Sequence, residues 1–256
     1  MSFDFSGKRV LVTGGTRGIG HAAVTAFLGA GARVAVNGRT EDSTRNALAA
    51  LGGDAVAAPG DVASAAACRA LVETAVAALG GLDVLVNCAG IAKGGPAEGV
   101  TEELWDATLD TNLKGTFFCS QAALPHLRSS RGNVVNLASD AGLIGEVGLA
   151  VYCASKGGVV NLTRSLALEL APEVRMNCVC PGYVDTDMVR RDVIDASADP
   201  EATEAALAAS APLNRIASPA EIATAILYLA SDHARFITGA AFQIDGGTTA
   251  GHPRMS

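Results

Sequence analysis

The stretch Thr13-Gly14-Gly15-Thr16-Arg17-Gly18-Ile19-Gly20 connects the aliphatic run Arg9–Val12 to a segment with helical periodicity, Gly18–Leu28. A strand that passes through a glycine-rich turn into a helix is typical of a nucleotide-binding α/β sheet. Glycines at these positions permit a tight turn and a close backbone approach to a pyrophosphate, which amide N–H groups at the helix end can bind. The motif alone is moderately specific, and a plain glycine turn is the alternative.

Short aliphatic runs and helical segments alternate along the rest of the chain. The aliphatic runs predict seven strands, at Arg9–Val12, Arg33–Val36, Ala55–Ala58, Leu82–Val86, Asn133–Leu137, Arg175–Val179 and Ala241–Ile244. The segments between them predict helices at Gly18–Leu28, Ser43–Leu51, Ala63–Leu79, Glu102–Leu127, Val151–Leu170 and Ala220–Leu229. This alternation predicts an α/β protein with a doubly wound Rossmann fold, in which helices cover both faces of a seven-stranded parallel sheet. Ligands of such a fold gather at the carboxyl ends of the strands.

Length and composition narrow the class of protein. Apolar segments continue evenly from Val10 to Ile244 without a low-complexity linker, so the sequence predicts a single domain over residues 1–256. A net charge of −7 opposes binding to nucleic acid or to an anionic membrane. The N-terminus lacks a signal-peptide pattern, and no apolar stretch reaches the roughly 18 residues of a membrane-spanning helix. We therefore expect a soluble, cytoplasmic protein.

The cysteine and histidine residues form no metal-binding pattern. Six cysteines occur without a CxxC pair, and the four histidines make no cluster. We predict free, mostly buried thiols and no metal site. Cys153 adjoins Tyr152, so oxidation is a possible second role for it beside packing.

Three polar residues in the second half of the chain point to proton chemistry. Tyr152 and Lys156 lie four residues apart in the stretch YCASK, thirteen residues after Ser139. Four residues make about one helical turn, so the phenol and the ammonium share a helix face. The ammonium and a cationic nicotinamide would both favour the phenolate, so we expect a lowered pKa for Tyr152. Each residue alone has a structural explanation: a helix tyrosine, a surface cation and a strand-end cap.

The end of the second predicted strand bears on the choice of cofactor. An NAD site usually has an acidic residue there, whereas an arginine accommodates the 2′-phosphate of NADP. Here the strand ends Val36-Asn37-Gly38-Arg39, and Arg17 in the glycine loop adds a second positive charge. The sequence therefore predicts NADP(H) over NAD(H); a solvated Arg39 is the alternative.

Together these motifs resemble the short-chain dehydrogenase/reductase family, in its compact single-domain branch similar to 3-oxoacyl-(acyl-carrier-protein) reductases. The resemblance covers nearly the whole chain. It includes TGGTRGIG at 13–20, Asp61-Val62, Asn87-Cys88-Ala89-Gly90, Asn112 in TNLKG, Ser139, YCASK, and Pro181-Gly182 followed by Thr186. One departure is Cys88, where the family more often has a second asparagine.

The resemblance implies roles for individual residues and an assembly. The implied catalytic set is Asn112, Ser139, Tyr152 and Lys156, with Asn112 kinking its helix and holding a water beside the lysine. The implied cofactor-binding residues are Gly14, Thr16, Arg17, Gly18, Ile19, Gly20, Arg39, Asp61, Val62, Asn87, Ala89, Gly90, Tyr152, Lys156, Pro181, Gly182, Val184 and Thr186. Asp61 as a helix cap and Asn87 as a loop-bonding amide are the structural alternatives. The family also implies a homotetramer through helices 102–127 and 151–171 and the region Gly239–Gly247.

The substrate pocket should be bounded by Ile91–Gly95, Asp140–Leu149 and Gly182–Met188. A polar, acidic segment at Val189–Leu213, within a lid about 186–215, is expected to form two short helices over the pocket. A solvated surface excursion is the alternative. Lys93, Asp140 and Glu146 are in position to contact a polar substrate.

The sequence leaves three functions open. A small-molecule ketone or secondary-alcohol oxidoreductase ranks slightly ahead of a 3-oxoacyl-thioester reductase, because Ala171-Pro172-Glu173 stands where carrier-binding relatives tend to present a basic residue. Arg128 and Arg131 remain as carrier-docking candidates near the site. The third reading is a non-catalytic NADPH-binding regulator, which would not need the complete catalytic set.

Overall fold

The computed structural model describes residues 3–51 and 55–251. Within these ranges the strands are β1 (Arg9–Thr13), β2 (Arg33–Val36), β3 (Ala55–Ala57), β4 (Val84–Asn87), β5 (Asn133–Leu137), β6 (Arg175–Pro181) and β7 (Ala241–Ile244). The helices are α1 (Gly18–Gly29), α2 (Glu41–Leu51), α3 (Ala65–Leu79), α4 (Glu102–Leu109), α5 (Gly115–Ser130), α6 (Ala150–Leu170), α7 (Asp187–Val189), α8 (Pro200–Ser210) and α9 (Pro219–Ala230).

The strands form one parallel sheet in the order β3-β2-β1-β4-β5-β6-β7. This confirms the predicted doubly wound Rossmann fold. The connections leave β1 and β4 towards opposite sides of the sheet, which opens a crevice at their carboxyl ends. Thr13 and Asn87 are register partners at this crevice, so the loops after β1 and β4 start side by side.

The core lies on both faces of the sheet because alternate strand residues point to opposite sides. Val10 and Val12 belong to the cluster under α1 and α9, whereas Leu11 belongs to the cluster under α3, α5 and the end of α6. All three side chains are fully buried. The two packed layers hold the strand ends in place and thereby position the loops of the site.

The largest departure from the predicted elements is a break in the helix predicted at Glu102–Leu127. A π-helical turn at Asp110–Lys114 separates α4 from α5 and places Asn112 in the interruption. Such a turn inserts a residue into the helical repeat and is frequent at functional sites. A smaller departure is that α3 begins at Ala65 rather than Ala63, because the Ser64 hydroxyl caps it by accepting a bond from Ala67 N at 3.3 Å.

Candidate active site

The glycine loop between β1 and α1 passes other backbone too closely to carry side chains. A Cβ on Gly20 would lie 2.2 Å from the carbonyl oxygen of Gly14, and a Cβ on Gly14 would lie 2.8 Å from the Cα of Ala89. Gly14 also has a φ of 63°, in the left-handed region that favours glycine. α1 starts at Gly18 without a side-chain cap, so its first amide N–H groups are available to a phosphate.

Thr13, the last residue of β1, ties this loop to the loop after β4. Its hydroxyl accepts hydrogen bonds from the N–H groups of Cys88 at 3.1 Å and Ala89 at 3.2 Å. Cys88, where the family more often has asparagine, is buried, and both hydrogen bonds are present with it. Thr13 is not among the predicted site residues, although a hydroxyl at the crevice end of a buried strand is a signal for such a contact.

The end of β2 presents its arginine to solvent. Arg39 and Arg17 are both exposed, and within residues 3–51 and 55–251 neither side chain forms a hydrogen bond or an ion pair. The neighbouring Asn37 is buried, and its amide donates to the carbonyl oxygens of Ala58 at 2.9 Å and Gly60 at 3.0 Å. Among the described residues at this strand end, Arg39 thus presents a positively charged side chain that has no hydrogen-bond or ion-pair partner.

Two residues predicted to contact the adenosine also form hydrogen bonds within the protein. Asp61 is exposed, and its Oδ1 accepts a hydrogen bond from Ala63 N at 3.0 Å in the turn before α3. Asn87 is buried, and its amide donates to Asn136 Oδ1 at 2.9 Å and Ser120 Oγ at 3.0 Å. The structural alternatives for both residues are thus present. Contact of either residue with a nucleotide stays a prediction.

Asn112 holds the loop after β4 against α6. Its Oδ1 accepts from Ile91 N at 2.8 Å, and its Nδ2 donates to Ile91 O at 2.9 Å and to Ser155 Oγ at 3.0 Å. Ser155 in turn donates to the carbonyl oxygen of Tyr152 at 2.7 Å. The π-helical turn thereby connects two walls of the site through one amide. Ser155 is a residue that the sequence did not single out.

Lys156 lies beside Asn112 and Tyr152, as its place one turn after Tyr152 predicts. The Cβ position of Gly90 is 3.3 Å from Asn112 Oδ1 and 3.5 Å from Lys156 Nζ, so these groups meet at one point. Nζ donates to the carbonyl oxygen of Leu137 at 2.8 Å and lies 5.7 Å from the centre of the Tyr152 ring. Lys156 is only 3% exposed, and burial lowers its pKa to about 8.

The electrostatics of Tyr152 differ from the expectation. Burial, together with the smaller effect of the Asp140 and Glu146 charges, raises the pKa of Tyr152 to about 12, and the nearby Ser139 hydroxyl acts in the opposite direction. The lowered pKa expected from the ammonium of Lys156 is therefore wrong for the protein's own groups. The reason is that Tyr152 is desolvated and faces two carboxylates.

Ser139 caps a short turn at the end of β5, and its hydroxyl lowers the pKa of Tyr152. It donates to Asp140 Oδ1 at 2.9 Å and accepts from Ala141 N at 3.2 Å. The same hydroxyl also lies within hydrogen-bond distance of the carbonyl oxygen of Pro181, the last residue of β6. A hydroxyl in this place can bond the oxygen of a substrate that reaches Tyr152.

The opposite side of the cleft carries Tyr183, which the sequence did not identify. Its hydroxyl donates to Glu146 Oε1 at 2.5 Å, so the segment after β6 is bonded to the loop before α6. Next to it, the Cβ position of Gly182 lies 3.3 Å from Asp140 Oδ2. Tyr183 follows directly on Pro181-Gly182, and an aromatic hydroxyl at a crevice strand end was the available signal.

The segment after β6 contains the two helical stretches predicted for it. α7 continues as a π-helical turn through Arg190–Ile194, and α8 follows. Arg190 joins them, because its guanidinium pairs with Asp185 at 2.6 Å and with Glu204 of α8 at 2.7 Å. Thr186 lies over the glycine loop, with its Cγ2 3.3 Å from the Cβ position of Gly18. Movement of this segment as a lid stays a prediction.

For four further predicted cofactor residues the structure gives the burial of the side chain, and their contact with a cofactor stays a prediction. Val62 and Val184 are buried, and Thr16 and Ile19 are half-buried.

The carrier-docking candidates lie away from this cleft within the chain. Arg128 lies in the last turn of α5 and Arg131 directly follows it, whereas Asn112 precedes its start, and a 16-residue helix spans roughly 24 Å. Arg128 also pairs with Glu173 at 3.3 Å. Their expected place near the site is therefore wrong for a single chain, because α5 runs antiparallel to the strands.

Other expectations concern thiols, metals and membranes. All six cysteines are free, and five are buried, with Cys153 half-buried. In the part of the chain that the structure describes, no three His, Cys, Asp or Glu side chains form a group suited to a metal ion. Over the same ranges, no helix is both long enough and apolar enough to cross a membrane.

Comparisons with known proteins agree with this geometry. A family model described as enoyl-(acyl carrier protein) reductase matches residues 14–249. The chain is 39% identical to 2-(S)-hydroxypropyl-CoM dehydrogenase 3 of Xanthobacter autotrophicus, over 98% of this chain and 100% of the relative. It is 40% identical to a 3-oxoacyl-(acyl-carrier-protein) reductase of Staphylococcus aureus, over 94% and 97%. Aldohexose dehydrogenase of Thermoplasma acidophilum superimposes with a TM-score of 0.89 at 32% identity, over 99% of this chain and 97% of that one.

Proposed function

Because the chain belongs to the short-chain dehydrogenase/reductase family, we propose that it is an NADP(H)-dependent oxidoreductase of ketones and secondary alcohols. The observation that carries the proposal is the meeting of Asn112, Lys156 and Tyr152 at the loop after β4, with the Ser139 hydroxyl near enough to Tyr152 to lower the pKa of its phenol. A non-catalytic regulator would need the glycine loop but not this complete set.

The chain's own residues divide the work of the reaction. When bound, the nicotinamide supplies or accepts the hydride at the substrate carbon. Tyr152 exchanges the proton with the substrate oxygen, and Ser139 holds that oxygen by a hydrogen bond. Lys156 places a positive charge 5.7 Å from the centre of the Tyr152 ring, and a positive charge near a phenol favours the phenolate. Asn112 is a positioning residue, because it fixes the loop after β4 against Ser155.

Charge at the end of β2 supports NADP(H) as the preferred cofactor. The acidic residues nearest to Arg39 in sequence are Glu41 and Asp42, and both pair with Arg45, at 4.0 Å and 2.9 Å. Arg39 and Arg17 therefore keep their donors for a 2′-phosphate, which a guanidinium binds by two parallel hydrogen bonds.

The substrate is proposed to be a small or cyclic ketone or alcohol rather than a carrier-bound thioester. The similarity to a 3-oxoacyl-(acyl-carrier-protein) reductase favours the second candidate, whereas the Arg128–Glu173 pair neutralises a cation that would dock an acidic carrier. The direct test is the rate of NADPH oxidation with acetoacetyl thioester and with simple ketones, using protein that binds NADPH. Faster turnover of the thioester would put acyl reduction first. If neither class of substrate supports NADPH oxidation, the proposed activity is contradicted.

The proposal includes one domain with a lid at 186–215, a homotetramer and a cytoplasmic location. A cavity of about 490 Å³ between α4, α5 and α6 is lined mainly by leucine and phenylalanine, and Leu168 on α6 is 84% exposed. Apolar surface of this kind suits packing against another copy. Light scattering at micromolar concentration tests the assembly, and a monomer would contradict it.

A further inference from the structure

The wall of the cleft that faces Tyr152 carries two carboxylates. Asp140 follows Ser139 directly, and Glu146 lies six residues before Tyr152 in the same loop. Both are half-buried. Asp140 bonds the Ser139 hydroxyl and lies 3.3 Å from the Cβ position of Gly182, and Glu146 bonds the hydroxyl of the next residue, Tyr183, so both carboxylates border the space between Ser139 and the segment after β6. The charges of both also raise the pKa of Tyr152.

Each carboxylate has one oxygen held by the protein. Oδ1 of Asp140 accepts from Ser139 Oγ at 2.9 Å and from Ala141 N at 2.8 Å, and Oε1 of Glu146 accepts from Tyr183 at 2.5 Å. Within the described ranges, the second oxygen of each carboxylate has no hydrogen-bond partner. These contacts fix the two groups in place and leave one oxygen of each carboxylate free to accept a further hydrogen bond.

No cation among the described residues forms an ion pair with either carboxylate. Asp245 adds a third negative charge near Asp140, and burial, Glu146 and Asp245 together raise the pKa of Asp140. An anionic group placed beside these three carboxylates would be repelled by them, and in a partly buried cleft the repulsion is stronger than in water. A neutral hydroxyl would instead find charged acceptors, which form stronger hydrogen bonds than neutral ones.

We propose that Asp140 and Glu146 make the pocket selective for uncharged hydroxyketones and their diols, and that they exclude substrates with a carboxylate beside the reacting carbon. The inference rests on the proposed function, since it names the substrate class of the same site. In the reduction of a hydroxyketone, the hydride of NADPH passes to the carbonyl carbon and the Tyr152 proton passes to the oxygen. The products are NADP⁺ and a diol.

Three compounds of similar size test the proposal: hydroxyacetone, butanone and pyruvate, which place a hydroxymethyl, an ethyl and a carboxylate group beside the same carbonyl. For the wild-type protein we expect kcat/KM to be about tenfold higher for hydroxyacetone than for butanone, and lowest for pyruvate. Equal values for hydroxyacetone and butanone would overturn the inference while leaving the proposed oxidoreductase intact. No turnover of any ketone would overturn both.

Two variants separate the effect of the negative charge of Glu146 from the effect of its position. Glu146→Gln should lower the hydroxyacetone-to-pyruvate ratio of kcat/KM about tenfold, because the amide no longer repels the carboxylate. Tyr183→Phe keeps the charge of Glu146 but removes the hydrogen bond that holds its carboxylate in place. KM for hydroxyacetone should therefore rise severalfold, while kcat changes little and pyruvate is still rejected. Glu73→Gln, on the outer side of α3, removes an equal charge from a side chain that is 60% exposed, and should leave the ratio unchanged. An unchanged ratio in Glu146→Gln, or an unchanged KM in Tyr183→Phe, would contradict the proposal.

Discussion

Asn112 satisfies both backbone groups of Ile91: its Oδ1 accepts from the N–H at 2.8 Å, and its Nδ2 donates to the carbonyl oxygen at 2.9 Å. The same amide bonds Ser155, so one side chain joins the loop after β4 to α6. Asn112 is fully buried. Its removal would leave buried polar groups without partners, which costs more than the bonds themselves contribute.

Asn112→Ala should therefore damage both stability and turnover. We expect the free energy of unfolding to fall by roughly 2–4 kcal/mol and kcat to fall more than about tenfold. Chemical denaturation and steady-state rates measure the two effects. Asn161→Ala, at an exposed position of α6, is the control and should change neither. Normal turnover by a folded Asn112→Ala protein would remove Asn112 from the site.

Two glycines of α1 offer a matched comparison. A Cβ at Gly20 would lie 2.2 Å from the carbonyl oxygen of Gly14, whereas a Cβ at Gly29 would meet nothing within 4 Å. Gly20→Ala must displace the glycine loop, so we expect lost NADPH binding and lower stability. Gly29→Ala should raise the free energy of unfolding by about 0.5–1 kcal/mol with NADPH binding unchanged. Thermal unfolding and NADPH titration check both, and NADPH binding by Gly20→Ala at wild-type affinity would contradict the loop's role.

Much of the fold and of the site could be predicted from the sequence. The strand–glycine loop–helix pattern and the alternation of aliphatic runs specify the parallel sheet, because period and spacing are local properties. Asn112, Tyr152 and Lys156 meet as the family resemblance implies.

Contacts between loops could not be predicted from the sequence. The Tyr183–Glu146 hydrogen bond joins residues 37 positions apart whose separation in space depends on how β6 and the loop before α6 pack. The raised pKa of Tyr152 depends on burial and on Asp140, neither of which a motif encodes. The helix break at Asp110–Lys114 agrees with the kink at Asn112 that the family resemblance implies, but the local sequence does not predict it, because it contains no proline or glycine and favours a continuous helix.

Burial of Lys156 gives the cofactor-free protein a pH-dependent stability. The pKa of Lys156 is lowered from 10.5 to about 8, so below pH 8 both folded and unfolded states hold the proton and the full cost of burying the charge is present. Between these values the unfolded state binds more protons, and the free energy of unfolding rises with pH. We expect Lys156→Met to stabilise the protein by up to about 3 kcal/mol at neutral pH, with the gain shrinking as pH rises.

Denaturation of wild type and Lys156→Met from about pH 7 to about pH 10 measures this difference. Lys8→Met changes an exposed lysine and should give a difference that does not shrink over the range. A constant gain for Lys156→Met would show that the ammonium is not desolvated in the folded protein.

Arg39 should determine the preference between the two nicotinamide cofactors. Its side chain is exposed at the end of β2. Loss of a bidentate bond to a phosphate typically weakens binding about ten- to a hundredfold, so Arg39→Ala should raise the Kd for NADPH by that factor and leave NADH unchanged. Fluorescence titration with both cofactors measures the effect, and Arg69→Ala on the surface of α3 is the control. Equal Kd values for NADPH in wild type and Arg39→Ala would contradict the NADP(H) assignment.

The most direct test of the central claim is the rate of NADPH oxidation by Tyr152→Phe, measured with NADPH binding on the same protein and with the best ketone found for the wild type. Tyr228→Phe, a half-buried tyrosine in α9 that packs near Phe242, serves as the matched control and should be fully active. Tyr152→Phe should bind NADPH normally and lose about a hundredfold or more in kcat, because the hydroxyl that exchanges the proton with the substrate oxygen is removed. Near-normal turnover by a folded, NADPH-binding Tyr152→Phe protein would contradict the proposed mechanism.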